Sequence, residues 1–103
     1  MTHVFHPEAA AEFEEAVSFY RGISRRLGDR CAAEIRAAIQ RILDTPDRWR
    51  FLEEDVRRCL VRVFPYSVLY TVEPDFILII AVMHAKRRPG YWRHRLWSKP
   101  SFT

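Results

Sequence analysis

The side chains best suited to chemistry in this chain are concentrated near its C-terminal end. Residues 82–95 combine a histidine, His84, with basic and aromatic residues: Lys86, Arg87, Arg88, Tyr91, Trp92, Arg93 and Arg95. Their cationic groups can bind phosphate or carboxylate oxygens, and aromatic rings between arginines can stack on unpaired bases. A histidine beside such cations can act as a general acid or base in RNA cleavage. The segment therefore predicts a binding site for a phosphate backbone or an acidic partner.

A second basic group, Arg57, Arg58 and Arg62, lies where the sequence begins to alternate with a period of two. Arg58 and Arg62 are four residues apart, so on a strand their side chains point to the same face. Each can hold a phosphate through a bidentate contact. The alternative interpretation is a solvated strand whose charges keep the sheet edge soluble.

Structural alternatives also exist for the first group. His84 can simply hydrogen-bond a loop carbonyl, because lone histidines seldom catalyse. Tyr91 and Trp92 can hold the C-terminal tail against the sheet, since a large aromatic ring buries much area. The sequence contains no glycine-rich phosphate loop, no metal-ligand spacing and no nucleophile elbow. We therefore expect neither a metal nor a cofactor.

Charge is distributed unevenly along the chain. Residues 1–55 carry 8 basic and 11 acidic side chains, a net charge of −3. Residues 56–103 carry 9 basic and 2 acidic side chains, a net charge of +7. This asymmetry favours a nucleic acid or an acidic protein as the partner of the C-terminal half.

Length and composition indicate one globular domain spanning residues 1–103, of which 49% are hydrophobic. Cys31 and Cys59 occupy apolar-patterned positions and are predicted to be reduced core residues. Residues 1–7 are too short and too polar for a secretory signal, and the longest apolar run, 76–81, is too short to span a bilayer. We therefore expect a cytoplasmic protein with no membrane partner.

The first half of the chain predicts a strand followed by a helical hairpin. The strand covers residues 2–6, and a helix follows over residues 7–23, with Pro7 in its first turn. Leu27-Gly28-Asp29 reads as a break, with Asp29 as the N-cap of a second helix over residues 30–44. The short connection makes the two helices antiparallel neighbours.

The second half predicts a loop and three strands. The loop covers residues 46–55 and is anchored by Trp49 and Phe51. The strands cover residues 56–64, 67–73 and 76–84, and the last is apolar on both faces, as expected of a central strand. The predicted fold class is α+β: an N-terminal strand, an antiparallel helical hairpin, then a three-stranded antiparallel meander (β-α-α-β-β-β) and a short basic tail. We expect the helices to cover one sheet face and the other face to be partly open, carrying the arginines of the first meander strand.

Several motifs in this order resemble the RelE/ParE superfamily, the toxins of bacterial type II toxin–antitoxin modules, which are often described as plasmid stabilisation proteins. The resemblance extends from about residue 3 to residue 95 and depends on the order and spacing of the motifs. Those motifs are Phe5-His6-Pro7-Glu8-Ala9, Phe19-Tyr20, Leu27-Gly28, Val56-Arg57-Arg58, Phe64-Pro65-Tyr66-Ser67-Val68-Leu69-Tyr70 and His84-Ala85-Lys86-Arg87-Arg88-Pro89-Gly90-Tyr91-Trp92.

The resemblance implies the fold above and a cognate antitoxin that wraps and blocks the toxin. It also implies one of two activities. RelE-like members cut mRNA in the ribosomal A site with a dispersed set of basic residues and a tyrosine, whereas ParE-like members inhibit DNA gyrase. In this chain Arg87 matches the arginine that follows the last strand in the RelE-like set, Arg58 lies near one basic position of the meander, and Tyr91 lies near the tyrosine of the tail. Ser67 and Leu60 stand where that set is basic, which removes charges that stabilise the transition state.

Three hypotheses follow. The first is a ParE-like growth inhibitor that acts on DNA gyrase and is neutralised by an antitoxin. The alternative is a RelE-like, ribosome-dependent mRNA endonuclease, for which the catalytic candidates are Arg58, Arg62, His84, Arg87 and Tyr91. The third is a non-toxic basic RNA-binding module that uses the same positive surface. Periodicity does not decide whether residues 96–103 are ordered.

Overall fold

The computed structural model describes residues 1–100, which form a five-stranded sheet and two long helices. Along the chain the elements are β1 (Thr2–Phe5), α1 (Pro7–Ile23), α2 (Arg25–Asp44), β2 (Phe51–Glu53), β3 (Val56–Leu60), β4 (Tyr66–Val72), β5 (Phe76–His84) and a 3-10 helix, η1 (Arg93–Trp97). The strand order is β1-β5-β4-β3-β2, and β1 pairs with β5 in parallel while the other pairs are antiparallel. The α+β class and the antiparallel meander are confirmed, within a sheet that is mixed overall.

Helix α1 has the predicted bounds, and two features of its first turn favour a start at Pro7. Pro7 needs no hydrogen-bond acceptor at the first helical position, and Nδ1 of His6 accepts a hydrogen bond from the backbone N–H of Glu8 at 3.1 Å. Ala9, Ala16 and Val17 are buried beneath the helix. In the described part of the chain, no helix is long and apolar enough to cross a membrane.

The predicted start of the second helix was wrong. Helix α2 begins at Arg25, five residues before the predicted residue 30, and its cap is Ser24, whose Oγ accepts a hydrogen bond from Leu27 N–H at 3.1 Å. Gly28 lies inside the helix, where an added Cβ would come 2.6 Å from Cβ of Arg21. The glycine therefore permits close approach of the two helices and does not end one of them.

The region after α2 also differs from its prediction. Residues 51–53 of the predicted loop form the short edge strand β2, and Phe51 is 56% exposed instead of anchoring the loop. Strand β3 ends at Leu60 and not at residue 64, because Val63 adopts a left-handed backbone with a φ of 74°. That turn directs Phe64 into the core and lets β4 begin at Tyr66.

The two sheet faces are covered by different parts of the chain. The helices cover one face, as predicted, and both cysteines are free and buried there. The other face was predicted to be partly open and to carry arginines of the first meander strand, and at β3 it is open: Arg58 is exposed there and Leu60 is 63% exposed. The middle of this face is covered, which was not predicted. Trp92 is 1% exposed and packs in a cluster with apolar residues of the sheet: Val56, Leu69, Leu78, Ile80 and Ala81. Residues 96–100 are described, and the part of the tail from 101 to 103 lies outside the described residues.

Candidate partner-binding site

The basic turn, residues 84–88, is the most exposed group of candidate residues. It follows the interior strand β5, which ends at His84. Two bonds define the turn: Arg87 N–H donates to His84 O at 3.0 Å, and Lys86 N–H donates to Nδ1 of His84 at 3.0 Å. Lys86, Arg87 and Arg88 are exposed. Because Nδ1 is occupied as an acceptor, Nε2 is the ring atom of His84 that can meet a partner.

A groove of about 180 Å³ runs beside this turn, between α1 and the end of the sheet. Its walls include Phe19, Tyr66, His84 and Arg87, and Glu15 contributes a carboxylate. The rings of Tyr66 and His84 meet edge to face, with centroids 5.1 Å apart, and Phe19 is 64% exposed. The groove can therefore accept an apolar side chain from a partner whose acidic groups meet the turn.

Arg62 follows β3 at the end of the sheet where β5 reaches His84. Arg58 lies within β3, and its side chain is on the sheet face opposite that of His84. Arg58 pairs with Leu69, whose side chain belongs to the cluster around Trp92. His84 pairs with Tyr66, whose ring packs against helix α1. The structure thus brings His84 and Arg87 together. Arg62, which is exposed, follows β3 at the same end of the sheet, whereas Arg58 lies on the opposite sheet face.

Residues 91–98, here called the C-terminal arm, contain two candidate residues that are buried, Trp92 and Arg95. Arg95 is 3% exposed and forms a bidentate pair with Glu12 of α1, with Nη1–Oε1 at 2.7 Å and Nη2–Oε2 at 3.0 Å. Nη1 also donates to Ile80 O at 3.0 Å. Buried Trp92 and Arg95 are thus too deep to contact a partner directly.

Glu12 joins the arm to the sheet as well. Its Oε1 accepts a hydrogen bond from Val82 N–H at 3.0 Å, and its Oε2 accepts one from the Tyr91 hydroxyl at 2.6 Å. Sequence reasoning missed Glu12. The available signal was its position on the apolar stripe of α1, three residues after Ala9 and four before Ala16.

Tyr91 faces inward through its hydroxyl and outward through its ring. Burial and the hydrogen bond to Glu12 raise the pKa of Tyr91 well above its usual value, so the phenol stays neutral and donates to the carboxylate. The Arg87 guanidinium stacks over the ring at 4.0 Å from the centroid, and that of Arg95 lies at 5.1 Å. In this arrangement Tyr91 supports the site without presenting its hydroxyl to a substrate.

The remaining basic candidates are engaged within the molecule. Nη1 of Arg57 donates to the carbonyls of Asp47 at 3.0 Å and Trp49 at 2.8 Å, and its guanidinium lies 3.8 Å from the centroid of the exposed Phe51 ring. Arg93 forms a bidentate pair with Glu53 at 2.7 and 2.8 Å, and this hydrogen bonding lowers the pKa of Glu53. Within residues 1–100, no group of three or more histidine, cysteine or acidic residues is arranged to hold a metal ion.

Comparison with known proteins identifies the family. Residues 4–89 match the family described as the ParE toxin of the type II toxin–antitoxin system, parDE. A solved chain from the chromosomal ParDE toxin–antitoxin system of P. aeruginosa superposes with a TM-score of 0.73 at 16% identity, covering 84% of this chain and 97% of that one. No curated protein matches the sequence. The family match covers most of the chain and confirms the resemblance seen in its motifs: the protein belongs to the ParE toxin family of type II toxin–antitoxin systems.

Proposed function

We propose that this toxin arrests growth by binding DNA gyrase, without cutting RNA, and that a cognate antitoxin neutralises it. The observation that carries the proposal is the dispersal of the residues a RelE-like nuclease would need. Arg58 lies on the sheet face opposite His84, and the Tyr91 hydroxyl is bonded to Glu12. Cleavage of a phosphodiester depends on charges and proton carriers that converge on one reacting group.

Two further positions support a binding role over a catalytic one. Ser67, which stands where RelE-like toxins have an arginine, is 6% exposed and lies within strand β4. Leu60, at the other position normally basic, is 63% exposed and presents an apolar surface. Neither residue supplies positive charge to a bound phosphate.

The basic turn and its groove form the surface we assign to the target. Lys86, Arg87 and Arg88 are exposed, and positive groups of this kind accelerate encounter with an acidic protein surface. The exposed Phe19 ring and the groove beside it supply the apolar contact that a stable complex needs. A gyrase target also implies that the toxin acts in the cytoplasm.

A separate surface suits the antitoxin. A cleft of about 430 Å³ runs between α1 and α2, with Phe13, Val17 and Ala32 among its lining residues and the Arg21–Asp29 ion pair at 3.0 Å on its rim. A helix laid across this hairpin would bury apolar side chains in the cleft. Addition of a strand to the β2 edge of the meander is the other recognition mode that the fold offers.

The test of the gyrase proposal is inhibition of supercoiling by the purified protein. We expect the native chain to inhibit gyrase and the double variant Arg87→Ala/Arg88→Ala to lose most of that inhibition. The matched control is Arg48→Ala/Arg50→Ala, which removes two exposed charges just before the edge strand β2, separated from β5 by β3 and β4. Intact supercoiling in the presence of excess folded native protein would refute the proposal.

The nuclease alternative retains one favourable observation, namely that His84 and Arg87 share a groove. It predicts new RNA 5′ ends inside translated codons soon after the protein is induced without its antitoxin, and loss of those ends in His84→Ala/Arg87→Ala. Growth arrest with no new ends would exclude it and leave a protein target.

A further inference from the structure

We propose that Tyr91, held in place by Glu12, is a positioning residue that fixes the Arg87 guanidinium for contact with the target. The inference rests on the proposed role of the basic turn in target binding. It assigns a purpose to the contact between an exposed arginine and the ring of a tyrosine whose hydroxyl is buried in the arm.

The contact itself restrains Arg87. Its guanidinium lies 4.0 Å from the centroid of the Tyr91 ring, within the range in which a cation is attracted to an aromatic face. An arginine side chain otherwise loses much rotamer freedom when it binds a partner. A restraint that exists before binding reduces that loss and strengthens the complex.

The Tyr91 ring is in turn fixed to the strand that leads into the basic turn. The Tyr91 hydroxyl donates to Glu12 Oε2 at 2.6 Å, and Val82 N–H of β5 donates to Oε1 at 3.0 Å. Glu12 is itself held by the buried guanidinium of Arg95. Val82 lies on β5 two residues before His84, where the basic turn begins. Glu12 therefore connects the Tyr91 ring to the strand that carries Arg87.

Arg87 also keeps its hydrogen-bonding capacity for a partner. Among residues 1–100, its guanidinium makes no ion pair and donates no hydrogen bond. Arg95, on the same ring at 5.1 Å, is bonded to Glu12 and to Ile80 O. One tyrosine thus contacts two arginines, of which only the exposed one has donors that a partner can reach.

The experiment compares Tyr91→Phe, which keeps the ring, with Tyr91→Leu, which removes it. The first readout is the nitrogen-15 order parameter of the Arg87 Nε–H group, measured by NMR in the free protein. We expect Tyr91→Leu to lower it to the value of Arg88 and Tyr91→Phe to retain most of the native order. The matched control is Trp97→Leu, which removes an 89% exposed aromatic ring from the same arm and should leave Arg87 unchanged.

The second readout is the concentration of toxin that half-inhibits gyrase. Loss of one exposed cation–π restraint should raise it roughly two- to fivefold in Tyr91→Leu, and by less in Tyr91→Phe. If the native protein does not inhibit gyrase, the proposed function fails while the NMR comparison still tests the positioning role. Native-like Arg87 order in folded Tyr91→Leu would overturn the inference.

A measurement on the native protein guards against a variant that fails to fold. Stacking on the Tyr91 ring should shift the side-chain proton resonances of Arg87 upfield of those of Arg88. Equal resonance positions for the two arginines would contradict the stacked geometry directly.

Discussion

Two arginines on the same tyrosine ring differ in almost every other respect. Arg95, in the C-terminal arm, is 3% exposed and bonded to Glu12, whereas Arg87, in the basic turn, is exposed. The first links the arm to helix α1 and the sheet, and the second faces solvent at a groove. Positive residues that look equivalent in a basic segment therefore divide into a structural set and a set available to partners.

The difference also explains the charge asymmetry of the chain. Acidic residues of the N-terminal half pair with basic residues of the C-terminal half: Glu12 with Arg95, Glu53 with Arg93, Glu8 with His94 and Asp47 with Arg57. Part of the +7 charge of residues 56–103 is thus balanced within the fold. What remains unpaired is concentrated in the basic turn, which makes that turn more distinctive than the net charge indicates.

Among the variants that test this comparison, Arg95→Ala should lower the free energy of unfolding most. It leaves the carboxylate of Glu12 buried without its ion pair, and breaking a buried pair from one side costs about 3–5 kcal/mol of unfolding free energy. Chemical denaturation followed by circular dichroism measures the loss. The double variant Glu12→Leu/Arg95→Met, which replaces both charges by apolar groups, should recover a large share of it. Equal stability of Arg95→Ala and the native chain would show that the arm is not held by this pair.

Stability should also decrease on mild acidification because of His6. This side chain is 4% exposed, caps α1 and lies 3.2 Å from Ser98 Oγ of the arm. Burial lowers the pKa of His6 below 6.5, despite the opposing effect of Glu8. As pH falls below about 6.5, the unfolded chain takes up the proton first, so the free energy of unfolding falls.

The variant His6→Asn isolates that contribution, because asparagine keeps a capping oxygen but does not titrate. Its free energy of unfolding should fall less than that of the native protein between about pH 7.5 and pH 5.5. The carboxyl group of Glu8, whose pKa is lowered from 4.5 mainly by the hydrogen bond with His94, titrates below this window. Identical pH slopes in the two proteins would mean that protonation of His6 does not contribute to the loss of stability.

Arg93→Ala should have a much smaller effect than Arg95→Ala, although both arginines lie in the arm and form bidentate pairs. The Arg93 and Glu53 side chains are 58% and 33% exposed, and ion pairs in solvent contribute little. Denaturation under the conditions used for Arg95→Ala makes the comparison direct. A loss as large as that of Arg95→Ala would contradict burial as the cause of the difference.

Arg87→Ala should change stability least, by less than about 0.5 kcal/mol, because its guanidinium is exposed and unpaired. The same variant should reduce gyrase inhibition, whereas Arg93→Ala should affect activity only in proportion to the fraction that unfolds. If Arg87→Ala were less stable but inhibited gyrase as well per folded molecule as the native chain, Arg87 would have a structural role and not a role in target binding.

Local patterns predicted the elements that depend on local chemistry. Pro7 and the apolar stripe of α1 gave its bounds, and the apolar run from residue 76 to residue 84 predicted a strand with neighbours on both sides, as β5 has, although β4 is the middle strand of the sheet. Gly28 misled the second helix prediction because its role is a contact with Arg21 on another helix, which composition alone cannot reveal. The basic turn was identified from its residue types, and the resemblance to the family came from motif order.

The arm escaped prediction for a physical reason. The contact between Glu12 and Arg95 joins residues 83 positions apart, and no periodicity links two residues at that separation. The burial of Trp92 was one of two alternatives for that residue. The alternation in β3 indicated solvent around Arg58, which is exposed, but it carries no information on what covers the middle of the same sheet face. Tertiary contacts that close one end of the chain onto the other can be found only once the sheet order is known.

During synthesis on the ribosome, the arm is made after both helices and all five strands. Strands β3, β4 and β5 leave the ribosome before Trp92 and Arg95, so the sheet face around Leu69, Leu78 and Ile80 remains uncovered in the growing chain. Exposed apolar surface of this kind aggregates or is bound by chaperones. The growing toxin accordingly gains its native packing only when the arm has been synthesised, and until then an antitoxin meets an incomplete protein.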